Sequence, residues 1–293
     1  MTVVVVGDVV TDVLAVLATP LAVGSDTAAD VSFTGGGSAA NTAVWLAGAG
    51  VPVTLVACVG ADAAGDARLA ELAAAGVGTA VRRCAEAPTG TVVVLAERHE
   101  RSMLCDRGAN LLLGPSDVDA GLAATPDARH VHLSGYTLFD PRSRAAGRHA
   151  LAARPGLTTS VDAASADPLR RVGPRAFLDW VRGTDLLFAN LDEARVLVDD
   201  SEGPPEALAA ALTGWVAHAV VKLGAGGSVW ADRAGRVTRA AAVPVEEVDA
   251  TGAGDAFAAG LLGAWLAGQP PEAALRAGAA LGARAVTVAG ARP

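Results

Sequence analysis

The chain has 293 residues, of which 52% are hydrophobic, and it carries a formal net charge of −8. This length is sufficient for a large hydrophobic core in one α/β domain. The acidic balance excludes the electrostatic footprint of a nucleic-acid-binding protein. Three cysteines, Cys58, Cys84 and Cys105, have no metal-binding or disulfide spacing, which indicates a reducing, cytoplasmic compartment.

The N-terminal part of the chain predicts neither a secretion signal nor a membrane span. Residues 2–7 are typical of a buried strand and follow no basic segment. Residues 31–61 lack charged side chains and are long enough to cross a bilayer. Three consecutive glycines at 35–37, and Pro52, divide that stretch into a loop, a helix over 41–47 and a strand over 53–59. We therefore expect no contact with a membrane.

Short β-branched segments alternate with alanine-rich segments along the chain. Continuous hydrophobic strands with helices between them are typical of a mostly parallel sheet covered by helices on both faces. We predict core strands at 2–6, 53–59, 130–134, 158–162, 186–189 and 219–222. We predict further helices at 65–74, 142–153, 192–197, 205–215, 253–267 and 271–287.

Two segments, about 9–34 and 89–105, depart from this alternation because they lack a helical pattern. Within the second segment, the apolar residues 91–96 and the residues 102–104 flank a charged stretch, which predicts a hairpin. The two segments either form a small sheet of their own or add edge strands to the main sheet. No linker or low-complexity segment divides the chain, so we predict a single domain over 1–293.

A glycine-rich segment precedes the first helix and contains candidate ligand-binding groups. Gly36 and Gly37 let the backbone approach a ligand closely, and Asn41 offers both a donor and an acceptor to a polyol. Upstream, Asp12 follows the first strand. An ionised carboxylate is suited to accept hydrogen bonds from two neighbouring hydroxyls. These donors and acceptors are of the kind that a polyol requires.

Two polar features follow in the middle of the chain. Asn190 and Glu193 are spaced to share one face of a helix start. The same pair fits a capping box, in which the two residues satisfy backbone N–H groups, and the spacing alone does not decide between that role and ligand binding. Lys222 is the only lysine and precedes a glycine loop that contains Gly224 and Gly227.

The most informative segment is residues 248–257, VDATGAGDAF. Gly252, Ala253 and Gly254 leave backbone N–H groups uncovered where an apolar helix starts, and the helix dipole favours negative charge there. Asp255 borders this turn and can accept a proton from a bound nucleophile. Its alternative role is that of an acidic residue which stabilises the first turn of the helix. An anion-binding turn beside a base is what phosphoryl transfer to an alcohol requires.

These segments resemble the signatures of the ribokinase-like (PfkB) carbohydrate kinases. Residues 249–255, DATGAGD, are similar to the family's D-T-x-G-A-G-D core, and residues 36–41, GGSAAN, to its Gly-Gly-x-x-x-Asn element. The matching elements occur in the family's order from Asp12 to Asp255. The resemblance implies an α/β, ribokinase-like, three-layer fold with a small β-sheet lid formed by segments of about 9–34 and 89–105.

The resemblance also implies roles for individual residues. The anion-binding turn and the base are those already described. Implied acceptor-binding residues are Asp12, Gly36, Gly37 and Asn41; implied nucleotide-binding residues are Asn190, Lys222, Gly224 and Gly227; Glu193 would bind Mg²⁺, and Asp249 with Thr251 would support a monovalent cation such as K⁺.

Three residues bear on the acceptor. Arg101, on the predicted hairpin, either reaches over the substrate or is solvated, and Tyr136, at the end of a strand, is a candidate substrate contact. Ser38 stands where some family members have a lysine. This difference disfavours ribokinase itself and a phosphorylated sugar bound through that lysine. It also leaves room for a bulkier group, such as the base of a nucleoside.

The sequence therefore predicts a cytoplasmic, ATP-dependent kinase that transfers the γ-phosphate of Mg-ATP to a primary hydroxyl of a sugar or sugar-like alcohol. Two alternatives stay open. One is a nucleoside kinase on the same fold, and the other is a non-catalytic regulator that binds a sugar or a nucleotide. The exposed edges of the predicted lid further predict a homodimer, since unpaired backbone groups favour association.

Overall fold

The computed structural model of the protein describes residues 1–97, 100–152, 154–288 and 290–293. Within those ranges the chain forms a nine-stranded sheet, a separate four-stranded sheet and flanking α-helices. The strands are β1 (Thr2–Val6), β2 (Val10–Leu17), β3 (Ala29–Gly36), β4 (Val53–Gly60), β5 (Gly78–Cys84), β6 (Gly90–Glu97), β7 (Glu100–Asp106), β8 (Ala128–Ser134), β9 (Thr158–Asp162), β10 (Leu186–Asn190), β11 (His218–Lys222), β12 (Ser228–Asp232) and β13 (Val237–Ala240). The helices are α1 (Ser38–Gly48), α2 (Ala63–Ala74), α3 (Pro115–Ala123), α4 (Tyr136–Phe139), α5 (Pro141–Ala150), α6 (Ala166–Val172), α7 (Pro174–Trp180), α8 (Leu191–Val198), α9 (Pro205–Leu212), α10 (Ala253–Leu266) and α11 (Pro271–Val286).

The nine-stranded sheet has the order β13-β12-β11-β10-β9-β8-β1-β4-β5. The strands from β11 to β5 pair in parallel, and β12 and β13 add an antiparallel edge. The valines of β1 are fully buried and alternate between the two faces of the sheet. Val4 belongs to a hydrophobic cluster with Phe177 of α7, whereas Val5 belongs to another cluster with Trp45 of α1. The predicted three-layer α/β fold is confirmed.

The four-stranded sheet, which we call the small sheet, has the order β3-β2-β6-β7. Its strands come from the two segments that lack helices, and they pair with one another rather than with the main sheet. Strands β6 and β7 pair antiparallel, which confirms the predicted hairpin. The small sheet is therefore a structure of its own, and the alternative of extra edge strands on the main sheet is wrong.

Several elements lie outside the sequence-based predictions. Strand β5 carries Arg82 and Arg83 and is largely exposed, because it forms one edge of the main sheet. Such a strand lacks the continuous apolar pattern that identifies a buried one. Strands β12 and β13 at the other edge, and helices α3, α6 and α7, were also not predicted. The predicted helices at 142–153 and 205–215 are shorter in the structure, since α5 ends at Ala150 and α9 at Leu212.

The length and hydropathy of the helices bear on the question of a membrane span. Within the ranges that the structure describes, no helix has both the length and the apolar character that a membrane crossing requires.

Candidate active site

A cavity of about 830 Å³ lies where the small sheet faces the carboxyl ends of the main-sheet strands. Asp8 follows β1, and Asp162, Asn190 and Lys222 end strands β9, β10 and β11; all four line the cavity. In open α/β sheets, ligands bind at these strand ends. The small sheet contributes the opposite wall, which includes Asp12 and the apolar residues Leu14, Val92, Val94 and Met103.

The turn before α10 has the geometry of an anion-binding site. Gly252 has φ 76°, which is in the left-handed region, and a Cβ there would lie 2.5 Å from the carbonyl oxygen of Ala291. Only glycine fits this position. Helix α10 begins directly afterwards, so the N–H groups of its first turn have no partner within the helix. The N–H of Ala253 already donates to the carbonyl oxygen of Ala250 at 3.2 Å, whereas Gly254 lines the cavity.

Asp255, in the first turn of α10, is held by two donors from α1. Its Oδ1 accepts from the Ser38 hydroxyl at 2.8 Å, and its Oδ2 accepts from Asn41 Nδ2 at 3.0 Å. Burial and the nearby Asp162 raise the pKa of Asp255 to about 7. A carboxylate with a pKa near neutrality is suited to take a proton from an alcohol. Ser38, which was considered only as a missing lysine, therefore contacts the candidate base directly.

Lys222 forms an ion pair close to this turn. Its Nζ donates to Asp162 Oδ2 at 2.6 Å, and both side chains are largely buried. Burial lowers the pKa of Lys222, but Asp162 and Glu193 raise it more, so the ammonium stays charged. A Cβ at Gly254 would lie 3.1 Å from Nζ. Lys222 thus places a positive charge beside the anion-binding turn.

Asn190 and Glu193 form a capping box at the start of α8. Glu193 Oε2 accepts from the Asn190 backbone N–H, and Asn190 Oδ1 accepts from the Glu193 N–H, both at 2.8 Å. The structure therefore contains the capping box that was one of the two alternatives for this pair. Burial and Asp162 raise the pKa of Glu193 to about 7. Both side chains also line the cavity, so capping does not exclude a contact with a ligand.

The glycine loop after β11 lies close to strand β13. Residues Gly224–Gly226 form a 3₁₀ turn, and Gly227 follows with φ 90°. A Cβ at Gly227 would overlap the carbonyl oxygen of Ala240. Gly224 and Gly227 both line the cavity, which gives a ligand access to the backbone of this loop.

Asp12 lies in the small sheet on the opposite side of the cavity. A Cβ at Gly36 would overlap the Asp12 carboxylate, so the glycine makes room for it. Burial raises the pKa of Asp12 to about 6, Arg292 and Arg68 oppose the shift, and Asp8 adds to it. Gly37, with φ 99°, directly precedes α1, and Asn41 in the first turn of this helix lines the same cavity.

Asp249 connects two turns next to the base. Its Oδ1 accepts from the Thr251 N–H at 2.8 Å, and its Oδ2 accepts from the Gly290 N–H at 3.0 Å. Asp249 is buried, and all three residues line the cavity. The carboxylate thus holds the segment before α10 against the segment after α11.

Arg101 differs from the other predicted residues. Its backbone pairs with Ala96 between β7 and β6, but its side chain lies outside what the structure describes. Tyr136 lines the cavity, and the Arg107 guanidinium lies over its ring at 3.9 Å. Arg107 also lies 3.5 Å from Asp8 Oδ2.

Sequence reasoning assigned no role to Asp8, Arg107, Asp162 and Arg292. Asp8 and Asp162 had a detectable signal, since each lies at the carboxyl end of a predicted strand, where α/β sheets bind ligands. In the structure, Asp8 accepts from the N–H groups of Ser38 and Ala39 at the start of α1. Arg107 and Arg292 have no motif spacing, and contacts between distant segments bring them to the site.

A buried carboxylate and a lysine beside a helix start, facing a polar wall of the cavity, are an arrangement suited to phosphoryl transfer to an alcohol group. Residues 1–293 match the family described as pfkB family carbohydrate kinase, and the chain belongs to this family. The protein is therefore a carbohydrate kinase, and the predicted family and reaction class are confirmed.

Individual relatives agree with this assignment. An ATP-dependent ribose-1-phosphate kinase from Halopiger xanaduensis is 33% identical over 260 residues, which cover 88% of this chain and 82% of that protein. An adenosine kinase structure from Sinorhizobium meliloti superposes with a TM-score of 0.88 at 26% identity and covers 99% of this chain and 95% of that one. The structure of a candidate ribokinase II from E. coli in complex with ATP and Mg²⁺ superposes with a TM-score of 0.86 at 25% identity. The match covers 99% of this chain and 94% of that one.

Proposed function

We propose that this kinase transfers the γ-phosphate of Mg-ATP to a primary hydroxyl of a sugar or sugar-like alcohol, with Asp255 as the general base. The observation that carries the proposal is the position of Asp255. Ser38 and Asn41 hold its carboxylate at the start of α10, and burial brings its pKa close to neutrality. The acceptor hydroxyl would transfer its proton to Asp255 as it attacks the phosphorus in line.

The developing negative charge would be stabilised by the turn and by Lys222. Gly252, Ala253 and Gly254 form the turn, and the free N–H groups of the first helical turn act with the helix dipole. Lys222 supplies a compact positive charge close to Gly254. Gly224 and Gly227 would carry the nucleotide on the loop that follows this lysine. The small sheet would act as a lid that keeps water from the γ-phosphate.

The acceptor would bind between α1 and the small sheet. Asp12 would accept hydrogen bonds from two hydroxyls, and Gly36 and Gly37 allow the ligand to approach the backbone. Asn41 would orient the attacking hydroxyl through its contact with Asp255. Arg101 is retained as a candidate acceptor contact on the hairpin.

Magnesium would enter with ATP as part of the substrate. Among the described residues, no group of three or more histidine, cysteine, aspartate or glutamate side chains is arranged to hold a metal ion. Mg²⁺ is commonly bound by phosphates and waters with one or two carboxylates. Glu193, with Asn190 beside it, fits that role because it is buried at the cavity wall near Asp162. The bound ion would neutralise phosphate charge.

A monovalent cation such as K⁺ is proposed near Asp249 and Thr251. Asp249 is a buried carboxylate beside the anion-binding turn, and carbonyl groups of the same turns would complete the ligand set. The test compares rates in potassium and in a bulky organic cation at matched ionic strength. Equal rates would contradict this site and leave the kinase assignment unchanged.

The second candidate acceptor is a nucleoside. It is favoured by the apolar side chains Val92, Val94 and Met103, which line the cavity from the small sheet and provide a surface for a flat base. The small Ser38 leaves space near the base Asp255. A non-catalytic regulator is disfavoured, because binding alone gives no reason for a carboxylate held in this position.

We also propose a cytoplasmic homodimer. Val31 and Phe33 on β3, and Leu104 on β7, are exposed apolar side chains on the two edge strands of the small sheet. A second copy could cover these edges by strand pairing. Light scattering at micromolar protein concentration tests this, and a strictly monomeric mass would contradict it.

The experiment that tests the function is an ADP-release screen with pentoses, hexoses, ketoses, aminocyclitols and nucleosides, with and without Mg²⁺. We expect Mg²⁺-dependent ADP release above the rate without acceptor, and the acceptor with the highest kcat/KM distinguishes a sugar from a nucleoside. No acceptor-dependent ADP release with any of these compounds would contradict the proposal.

A further inference from the structure

Arg292, which follows α11, contacts residues on the proposed acceptor side of the site. Only 14% of its side chain is exposed. Its Nε donates to Asn41 Oδ1 at 2.9 Å, and its Nη2 donates to the Gly36 carbonyl oxygen at 2.9 Å. Its Nη1 lies 3.5 Å from Glu71 Oε2. The guanidinium therefore joins α1, α2 and the glycine segment before α1.

The contact with Asn41 fixes the orientation of that amide. An arginine Nε–H can only donate, so it must face the amide oxygen of Asn41. The amide nitrogen then points to Asp255 Oδ2, to which it donates at 3.0 Å. Rotation of the amide by 180° would lose both hydrogen bonds. Arg292 thus controls one of the two donors that hold the candidate base.

The glycine pair before α1 gives room to these groups. A Cβ at Gly35 would overlap both the Arg292 guanidinium and the Glu71 carboxylate. A Cβ at Gly36 would overlap the Asp12 carboxylate. Since the two neighbouring glycines make space for Arg292 and for Asp12, the two side chains approach the same stretch of backbone.

We propose that Arg292 is a positioning residue for phosphoryl transfer, which orients Asn41 toward Asp255 and keeps a positive charge beside Asp12. This inference rests on the proposed function, in which Asp255 is the base and Asp12 binds the acceptor. Arg292 itself does not line the cavity, so it acts through Asn41, Gly36 and Asp12.

The charges around the two carboxylates are consistent with this role. Burial raises the pKa of Asp12, Arg292 and Arg68 lower it, and Asp8 raises it. Burial and Asp162 raise the pKa of Asp255, and Lys222 lowers it. Burial lowers the pKa of Arg292, with Glu71 and Asp12 opposing that shift. An arginine stays protonated under these conditions.

The test measures pH profiles of kcat/KM for the best acceptor in three variants. Arg292→Gln removes the positive charge and the planar set of N–H donors of the guanidinium. Arg292→Lys keeps the charge but cannot contact Asn41 and Gly36 together. Arg276→Gln is the matched control, because Arg276 is an exposed arginine of α11 that pairs with Glu272 on the surface.

For Arg292→Gln we expect kcat/KM for the acceptor to fall roughly 10- to 100-fold, the effect of losing charged hydrogen bonds. The KM for ATP should stay unchanged. The acid limb of the profile should move to higher pH, because Arg292 interacts electrostatically with Asp12 and Asp255 and favours their ionised forms. Arg292→Lys should keep the acid limb and lose kcat, and Arg276→Gln should match the wild type.

Two failures are distinguishable in this experiment. If the wild type releases no ADP with any acceptor, the proposed function fails. If the wild type is active and Arg292→Gln behaves like Arg276→Gln in rate and acid limb, only the role of Arg292 is overturned. If Arg292→Gln does not fold by circular dichroism, Arg292→Lys decides, since wild-type kcat in that variant would overturn the positioning role.

Discussion

Lys222, the only lysine of the chain, donates from Nζ to Asp162 Oδ2 at 2.6 Å in the wall of the cavity. The two residues end parallel strands on either side of β10, so the main sheet itself sets their separation. The pair stands among further carboxylates, because Glu193 and Asp255 both interact electrostatically with Lys222. One ammonium group thus offsets a concentration of negative charge at the point where phosphates are proposed to bind.

The first prediction concerns that charge. Lys222→Met should lower kcat roughly 10²–10³-fold, as for the loss of one preorganised donor to a transition-state anion. Lys222 also lowers the pKa of Asp255, so its removal should move the acid limb of the kcat profile to higher pH. Steady-state kinetics from pH 5.5 to 9 measure both effects.

The control for Lys222 is Arg236→Met, which removes a surface cation paired with the buried carboxylate of Asp232. Arg236 does not line the cavity, so its variant should keep the wild-type profile. Because the loss of one partner of a buried pair destabilises a protein by about 3–5 kcal/mol, Lys222→Arg is measured as a second variant that keeps the charge. An unmoved acid limb in folded Lys222→Met would contradict the prediction.

The second prediction tests the base. Asp255→Asn keeps the shape of the side chain and should lower kcat roughly 10²–10⁴-fold. ATP binding should survive, since the nucleotide is proposed to lie on Lys222 and the glycine loop. Isothermal titration with a non-hydrolysable ATP analogue checks binding, and steady-state assays check turnover.

Asp12→Ala provides the contrast to Asp255→Asn. Its loss should chiefly raise the KM for the acceptor, with a smaller decrease in kcat if the contact also orients the attacking hydroxyl. Near-wild-type kcat in folded Asp255→Asn would show that another group takes the proton.

The sequence indicated the candidate anion-binding turn because its proposed chemistry depends on adjacent residues. Gly252, Gly254 and Asp255 lie within four positions, and the turn and the helix start follow from that local pattern. Arg292 and Asn41, in contrast, are 251 positions apart, and no local pattern indicates that they meet. Buried strands such as β1 were predicted to the residue, whereas the exposed edge strand β5 was missed, because only burial produces a continuous apolar pattern.

The third prediction separates backbone strain from steric overlap in the turn. Gly252→Ala and Gly268→Ala both place a side chain at positive φ, 76° and 80°. Strain of this kind costs about 1–3 kcal/mol. At Gly252 the new Cβ also lies 2.5 Å from the Ala291 oxygen, whereas nothing lies within 4 Å at Gly268. Urea unfolding should therefore show a larger loss of stability for Gly252→Ala, and equal losses would contradict the packing of the turn against Ala291.

The fourth prediction is that Asp12 lowers the stability of the ligand-free protein at neutral pH. Its pKa in the folded state is about 6, above the ordinary value of 3.8, chiefly because of burial. The folded state therefore binds the proton more tightly than the unfolded state does. Proton binding to Asp12 therefore stabilises the folded state. This contribution to the free energy of unfolding is fully present below pH 3.8 and is lost as the pH rises through about 6.

Asp12→Asn is neutral at every pH, so it should melt above the wild type at pH 8, by about 2–4 °C for each kcal/mol gained. The difference should shrink as the pH falls toward 4, while acceptor binding is impaired at every pH. Differential scanning fluorimetry without ligand measures the melting temperatures. Asp119→Asn is the control, because His149 lowers the pKa of that exposed carboxylate, so its neutralisation should not raise the melting temperature. The prediction treats Asp12 as a carboxylate that lowers stability and serves acceptor binding. A lower melting temperature for Asp12→Asn than for the wild type at pH 8 would contradict it, because that result would show that the Asp12 charge stabilises the fold.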